Sequence, residues 1–294
     1  MDNNMDTLNN LSYISFFNLK APPFSLIPDS NLFFPAKAHL ETLEVFIFSI
    51  NQGSLFSVLT GEPGLGKTQI ILTLLTRLPN DLKKIQIYNP SLRPEEFFET
   101  LFKELGLNDP SQETLVKNSG YGINKDEVLK GLKKFFNTGS SPFKRCLLII
   151  DEAQLLPKET LEELRLLTNL NEGSNPFLQI LLSGHSALAE KLKESELSPL
   201  RQRISVWETL KPLEKEEILP YLWYRIKQVS ESPEINFEKG IEKKIYKWTK
   251  GIPRLINKLM DRTLFVTYVK REQIVKKSHL KEAKKTFPGV LLEV

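Results

Sequence analysis

The sequence predicts an α/β protein: a doubly wound, mainly parallel sheet of five strands, followed by a small all-helical lid domain. Three observations lead there. Apolar runs without polar alternation, in SLFSVLT, CLLII and FLQILLSGH, read as strands covered on both faces. Helical repeats separate the strands, which implies right-handed crossovers and parallel pairing. From Pro212 onward only helical patterns remain.

The elements follow in order. Residues 11–36, rich in Phe and Pro (FFNLKAPPFSLIPDSNLFFPA), suggest an extended segment, 1–36 overall, packed on the nucleotide-binding core. Such a segment could also wall an adenine pocket. Residues 37–51 read as a helix. Leu55 to Leu59 form the first strand, and Gln69 to Leu78 the helix after it. KKIQIYNP is a strand ending at Asn89–Pro90, and a helix follows at about Pro94–Leu105. Residues 108–125 read as a polar loop, and DEVLKGLKKFFN returns to helix. CLLII is the third strand, with a helix at about Lys158–Thr168 and a turn around Gly173–Pro176. FLQILLSGH is the fourth strand and Ile204–Trp207 a short fifth. Helices at about 214–229, 238–249, 252–270 and 278–287 complete the chain. The domain expectation is 37–211 for the α/β body and 212–294 for the helical lid.

Composition narrows the class. Of 294 residues, 40% are apolar and 26% charged, as in an ordinary globular protein. No apolar run approaches the roughly 18 residues of a membrane span. The start, MDNNMDTLNN, is polar and acidic, unlike a secretory signal, so a cytoplasmic location is expected. The single cysteine, Cys146, lies in an apolar run and reads as a small core residue. Three scattered histidines offer no metal-ligand spacing. The net charge of +4 is uneven: residues 211–294 carry 19 Lys and Arg against 11 Asp and Glu, and residues 1–210 carry 21 against 25. A basic C-terminal part can contact nucleic acid or an acidic partner, or simply solvate helix faces.

Two stretches carry chemistry. GEPGLGKT fits G-x-x-x-x-G-K-[ST] between a strand and a helix, the phosphate-binding loop. Its residues, Gly61, Glu62, Pro63, Gly64, Leu65, Gly66, Lys67 and Thr68, with Gln69, are expected to bind a nucleoside triphosphate. Backbone N–H groups curl around the anion, the helix start adds partial positive charge, Lys67 reaches the β- and γ-phosphates, and Thr68 ligates Mg²⁺. In IIDEAQ, four apolar residues deliver Asp151 and Glu152 to the carboxyl end of a strand, where open α/β sheets bind ligands. Asp151 is expected to hold Mg²⁺ through water. Glu152 is suited to act as general base on the attacking water.

The sequence resembles the AAA+ ATPases, and more closely their ExeA-type branch, the ATPases of general secretion and MSHA pilus biogenesis. FFNLKAPPF, PDSNLFF, GEPGLGKT, YNPSL, LLIIDEAQLLPKETLEELRLLTNL, LQILLSGHSAL, SPLRQRISV and GIPRLINKL carry the resemblance over nearly the whole chain. Transposition target-selection ATPases share much of it. The resemblance implies a P-loop AAA+ fold and ATP hydrolysis with Mg²⁺. It makes Asn89 a residue that restrains the catalytic glutamate, or else only a strand-end turn residue. His185 takes the sensor position after the fourth strand, where the family more often has glutamine, with Ser183 as the alternative. Arg254, in GIPR, matches a lid arginine that reaches the phosphates. Arg203, or else Arg201, matches the arginine that completes a neighbouring subunit's site.

The implied function is an oligomeric ATPase, ring or filament, that remodels or positions a partner in secretion or type IV pilus assembly. The alternative is a DNA-binding ATPase of the transposition type, assembling on duplex DNA through the basic lid with its VKREQIVKKSHLKEAKK stretch. The secretion members carry a membrane span and an envelope-binding domain after the lid. The sequence given ends at FPGVLLEV, so the expectation is the shorter, pilus-associated form.

Overall fold

The computed structural model describes residues 13–88, 90, 93–105, 143, 145–170 and 176–286. Asn89, the 108–125 loop, the DEVLKGLKKFFN helix, most of the Gly173–Pro176 turn and the terminal FPGVLLEV lie outside the described residues.

In chain order the elements are α1 (Tyr13–Phe16), α2 (Lys37–Asn51), β1 (Phe56–Thr60), α3 (Lys67–Arg77), β2 (Leu82–Ile87), α4 (Pro94–Leu105) and β3 (Arg145–Ile150). Next come α5 (Lys158–Leu167), β4 (Leu178–Gly184), α6 (Ser186–Lys193), α7 (Ser198–Arg201) and β5 (Ile204–Thr209). The remainder is α8 (Ile218–Lys227), β6 (Asn236–Phe237), α9 (Ile241–Thr249), α10 (Pro253–Val269), β7 (Ile274–Val275) and α11 (Lys277–Thr286). By backbone contacts the chain forms two compact units. One takes Glu41–Glu62 and Leu74–Leu210; the other takes Met1–Leu40, Pro63–Thr73 and Lys211–Val294.

The first unit holds the five-stranded sheet, in the order β2-β3-β4-β1-β5 with every pairing parallel. β1 and β4 are buried along their whole length, and β3 along all but its first residue, as the unbroken apolar runs require. β1 lies between β4 and β5, where chain connections leave in opposite directions. The carboxyl ends of strands at such a point form the ligand crevice of doubly wound sheets. The register is continuous there: Ile150 pairs with Leu182, and Leu59 with Ser183. The residues that follow β1, β3 and β4 therefore emerge at one sheet edge. Cys146 is fully buried, and burial pushes its thiol up to about 12.

The second unit has its own core, built by Ile218, Leu222, Ile245, Ile256, Leu259 and Leu264 of the helices. The lid is helical as expected, with one addition: β6 and β7 pair in parallel as a two-stranded ribbon. The N-terminal segment departs from expectation. Its Phe17, Leu19 and Phe24 enter this helical core rather than that of the sheet. The reason is hydrogen bonding. A segment with consecutive prolines cannot join a ladder, so its carbonyls need outside donors. Arg225, buried on α8, donates from Nε to the Pro23 carbonyl at 2.7 Å and from its guanidinium to the Ser25 carbonyl at 2.9 Å. The Tyr13 hydroxyl donates to Asp261, and the Lys20 N–H to the Val229 carbonyl.

Replacing Arg225 by Met keeps the bulk but strands the buried Pro23 carbonyl and removes one of the donors to the Ser25 carbonyl. Stranding a buried acceptor costs about 1–3 kcal/mol, so Arg225→Met should lower stability by at least about 1 kcal/mol in chemical denaturation. An unchanged midpoint would show that the segment is held by its phenylalanines alone.

Candidate functional site

At the sheet edge, β3 ends and Asp151 begins the site. Its carboxylate is buried, 6% exposed, and Oδ1 accepts from the Ser183 hydroxyl at 2.9 Å and from the Glu152 N–H at 3.0 Å. The first donor follows from the register, because Ser183 stands one residue past Leu182, the partner of Ile150 on the neighbouring strand, and the second is the next residue of the chain. Glu152 is exposed and holds a left-handed backbone, φ 52° and ψ 37°, a conformation that costs an ordinary residue free energy and turns the chain sharply. Its Oε2 accepts from the Gln154 side-chain amide at 2.6 Å.

Gln154 was not among the expected site residues, yet it ties the ends of β3 and β4 to the helix α6. Its Oε1 accepts from the His185 N–H at 3.3 Å, and its backbone carbonyl accepts from the Lys191 ammonium, which also reaches the Leu156 carbonyl. A Cβ on Gly184 would meet Gln154 Oε1 at 2.5 Å, so the glycine leaves room for it. The only sequence signal was its place two residues after Glu152. His185 is the N-cap of α6: its Nδ1 accepts from the Ala187 N–H at 3.2 Å. The ring thus spends Nδ1 on the helix. Ser183 is committed to Asp151.

The loop after β1 runs Gly61–Gly66 into α3. Gly64 and Gly66 have φ of 84° and 102°, values open to glycine. At Gly64 the need is steric as well, since a Cβ there would lie 2.7 Å from the Arg254 Cβ. The Arg254 N–H donates to the Gly64 carbonyl at 3.1 Å, so the start of α10 meets the loop directly. Arg254 itself is exposed at that helix start. Lys67, at 8% exposure, and Thr68 open α3, where the helix dipole favours an anion. Glu62 and Pro63 are exposed and Leu65 is buried. Gln69 faces the N-terminal segment: its amide donates to the Asp29 carbonyl at 2.6 Å and accepts from the Asp29 N–H at 3.1 Å.

His39 is a second residue the expected set lacked. It is 6% exposed, and its Nε2 donates to the Leu65 carbonyl at 2.9 Å. Burial holds its pKa below 6.5, against smaller opposing effects of that bond and of Glu217, so the ring is neutral. The two arginines of SPLRQRIS bind backbone ends within their own chain. Arg201 donates to the Leu192 carbonyl at 2.9 Å, and Arg203 to the Arg165 carbonyl at 3.0 Å, the Thr168 hydroxyl at 2.7 Å and Asn169. Both guanidiniums remain partly exposed. Among the described residues no group of three or more His, Cys, Asp or Glu is arranged to hold a metal.

Comparison with known proteins agrees with this geometry. Residues 50–192 match the family described as AAA domain. Among solved structures, Cdc6p from Pyrobaculum aerophilum superposes with a TM-score of 0.64 at 17% identity, over 92% of this chain and 71% of that one. The Aeropyrum pernix ORC1 protein, solved in complex with DNA, gives 0.62 at 17% identity, over 90% and 69%. At such identities these likenesses show the fold. The chain is thus an AAA+ P-loop ATPase with a helical C-terminal region. Among curated proteins it is similar to general secretion pathway protein A of Aeromonas hydrophila, at 32% identity over 258 residues. The match takes 88% of this chain and 45% of that protein, so the chain spans less than half of its relative's length. No described helix is long and apolar enough to cross a membrane.

His39 gives the loop a pH signature. Its pKa is depressed on folding, so below about pH 6.5 the unfolded chain takes up a proton that the folded chain refuses, and stability falls. The thermal midpoint should drop from about pH 7.5 to about 5.5, and His39→Gln, which keeps a donor for Leu65 but does not titrate, should shrink that drop. An equal drop in the variant would remove His39 as the cause.

Proposed function

We propose that the chain uses ATP binding and hydrolysis to remodel or position a protein partner as an oligomer, in the cytoplasm, in secretion or type IV pilus assembly. The observation that carries the catalytic part is the buried Asp151, held by Ser183 at the sheet edge from which the G-x-x-x-x-G-K-T loop also departs. The pathway rests on the likeness to general secretion pathway protein A.

The roles follow from chemistry. Lys67 offsets charge on the β- and γ-phosphates. Mg²⁺, taken by Thr68 and Asp151, would neutralise the phosphate oxygens of bound ATP. Glu152 accepts the proton of the attacking water, and its bond to Gln154 holds the carboxylate in one orientation. Asn89 remains a candidate restraint on that same glutamate. His185, through Nε2, is the candidate sensor. Arg254 joins from α10 because its backbone already docks on Gly64. Arg203 is the first candidate for the arginine that serves a neighbour, with Arg201 second. A second reading, contact with DNA, is favoured by the basic lid.

Lys67→Ala should lose tight ATP binding, whereas Glu152→Gln should bind ATP and hold it unhydrolysed, measured by nucleotide titration and phosphate release. Unchanged affinity in the first variant, or wild-type turnover in the second, would remove the corresponding role.

Arg203→Ala should bind ATP yet turn over slowly, since a trans-acting arginine contributes roughly 10³–10⁵ in rate. Mixing it with Lys67→Ala should recover part of the activity. If Arg203 acted only by holding Arg165 and Thr168 in its own subunit, the mixture would stay inactive.

A further inference from the structure

On the helical unit, Lys239, Lys243, Lys244, Lys247, Lys277 and Trp248 line an open hollow of about 580 Å³. Two helices supply it. On α9, Lys243 and Lys247 stand four residues apart and so share one face. On α11, Lys277, Lys281 and Lys284 recur at the same helical spacing. Trp248 lies between the rows: the Lys244 ammonium stands 5.2 Å from its ring centre and the Lys284 ammonium 4.8 Å. The nearby acidic group, Glu238, is engaged by Lys277 at 3.2 Å and by the Lys277 N–H at 2.7 Å. The charges acting on Lys244 are Lys281 and Lys277 against Glu238, and, after burial, the repulsion of Lys281 lowers its pKa. Two of the ammonium groups are positioned by backbone: Lys244 donates to the Lys277 carbonyl at 3.2 Å, and Lys277 to the Lys239 carbonyl at 2.6 Å.

Concentrated like charge costs folding stability, and a ligand of opposite charge would recover that cost. We propose that this hollow is a binding site for the phosphate backbone of a nucleic acid. The proposal rests on the DNA reading above and gives it a surface. Three features select that ligand. Two lysine rows flanking a hollow match a linear polyanion, whereas a flat bilayer would meet the rims alone. Lysines, with no arginine among the lining residues, offer single point charges suited to successive phosphates, while carboxylates of an acidic protein are better held by arginine forks. Trp248 offers a ring face for a base once a lysine swings onto a phosphate. Binding of this kind carries no sequence preference.

The test uses the whole chain and fluorescence anisotropy with a labelled 20-nucleotide strand and a 20-base-pair duplex, each of mixed sequence. With five phosphates neutralised on the duplex, log affinity should fall against log salt with a slope of about −4.5, several hundred-fold between about 50 and 200 mM. Lys243→Glu with Lys247→Glu, both at exposed positions, should weaken binding at least tenfold at about 50 mM salt and flatten the slope by about two. Basal ATP turnover of that variant should match the wild type. Nucleic-acid binding unaffected by the double variant would place the site elsewhere and overturn this proposal while leaving the DNA reading intact. Absence of binding to either probe would overturn both. Tighter binding to phosphatidylglycerol vesicles or to polyglutamate than to nucleic acid, lost in the double variant, would assign the hollow to a membrane or an acidic protein instead.

Discussion

The site depends on two hydrogen bonds to one carboxylate where water is nearly excluded. A polar group taken out of water costs free energy unless it finds partners. On Asp151 two donors converge on Oδ1, the Ser183 hydroxyl and the Glu152 N–H. Neither donor is independent of the fold. Ser183 is present only if β4 pairs with β3 in the observed register, since a shift by one residue would turn its side chain to the opposite face. The Glu152 N–H points back only because Glu152 adopts a left-handed backbone at the strand's end. The parallel sheet, its order and its apolar core are in this sense the support of one polar contact.

That left-handed turn also decides where Glu152 goes. It leaves the carboxylate exposed, within reach of Gln154, while Asp151 stays inside. Two adjacent acids are thereby given different environments, one buried and one exposed. Gln154 is itself fixed by the His185 N–H and by Lys191 on its carbonyl, so the glutamate's orientation is set by the fourth strand and the helix after it. The end of β4 and Glu152 are thus joined through one side chain.

Much of this was legible in the sequence. The buried strands stood out because a sheet covered on both faces needs unbroken apolar runs, and α4 matched its expected span, Pro94–Leu105, because proline marks a helix start. The G-x-x-x-x-G-K-T loop and Asp151–Glu152 were legible because their chemistry demands particular residues at fixed spacing. What escaped was tertiary. Strands of two residues, β6 and β7, are too short to show a period. Gln154 and His39 act on partners brought near by folding, the His185 N–H and the Leu65 carbonyl, which no local pattern announces. The N-terminal segment's apolar residues fitted either core, and the choice was made by Arg225, 202 residues after the Pro23 carbonyl it binds.

The loop illustrates how the second unit bears on the chemistry without contributing a side chain of certain role. Gly64 is the residue at which the loop and α10 come closest. A methyl group there would strike Arg254, and the Gly64 carbonyl already accepts the Arg254 N–H. On the same short stretch, Leu65 is bonded to His39 and Gln69 to Asp29. The loop is therefore tied by three separate segments of one unit, at residues 29, 39 and 254, while its first residues continue directly from β1. Position 64 shows how closely these ties are fitted: its positive φ and the approach of Arg254 each exclude a side chain, so only glycine allows both the turn and the contact.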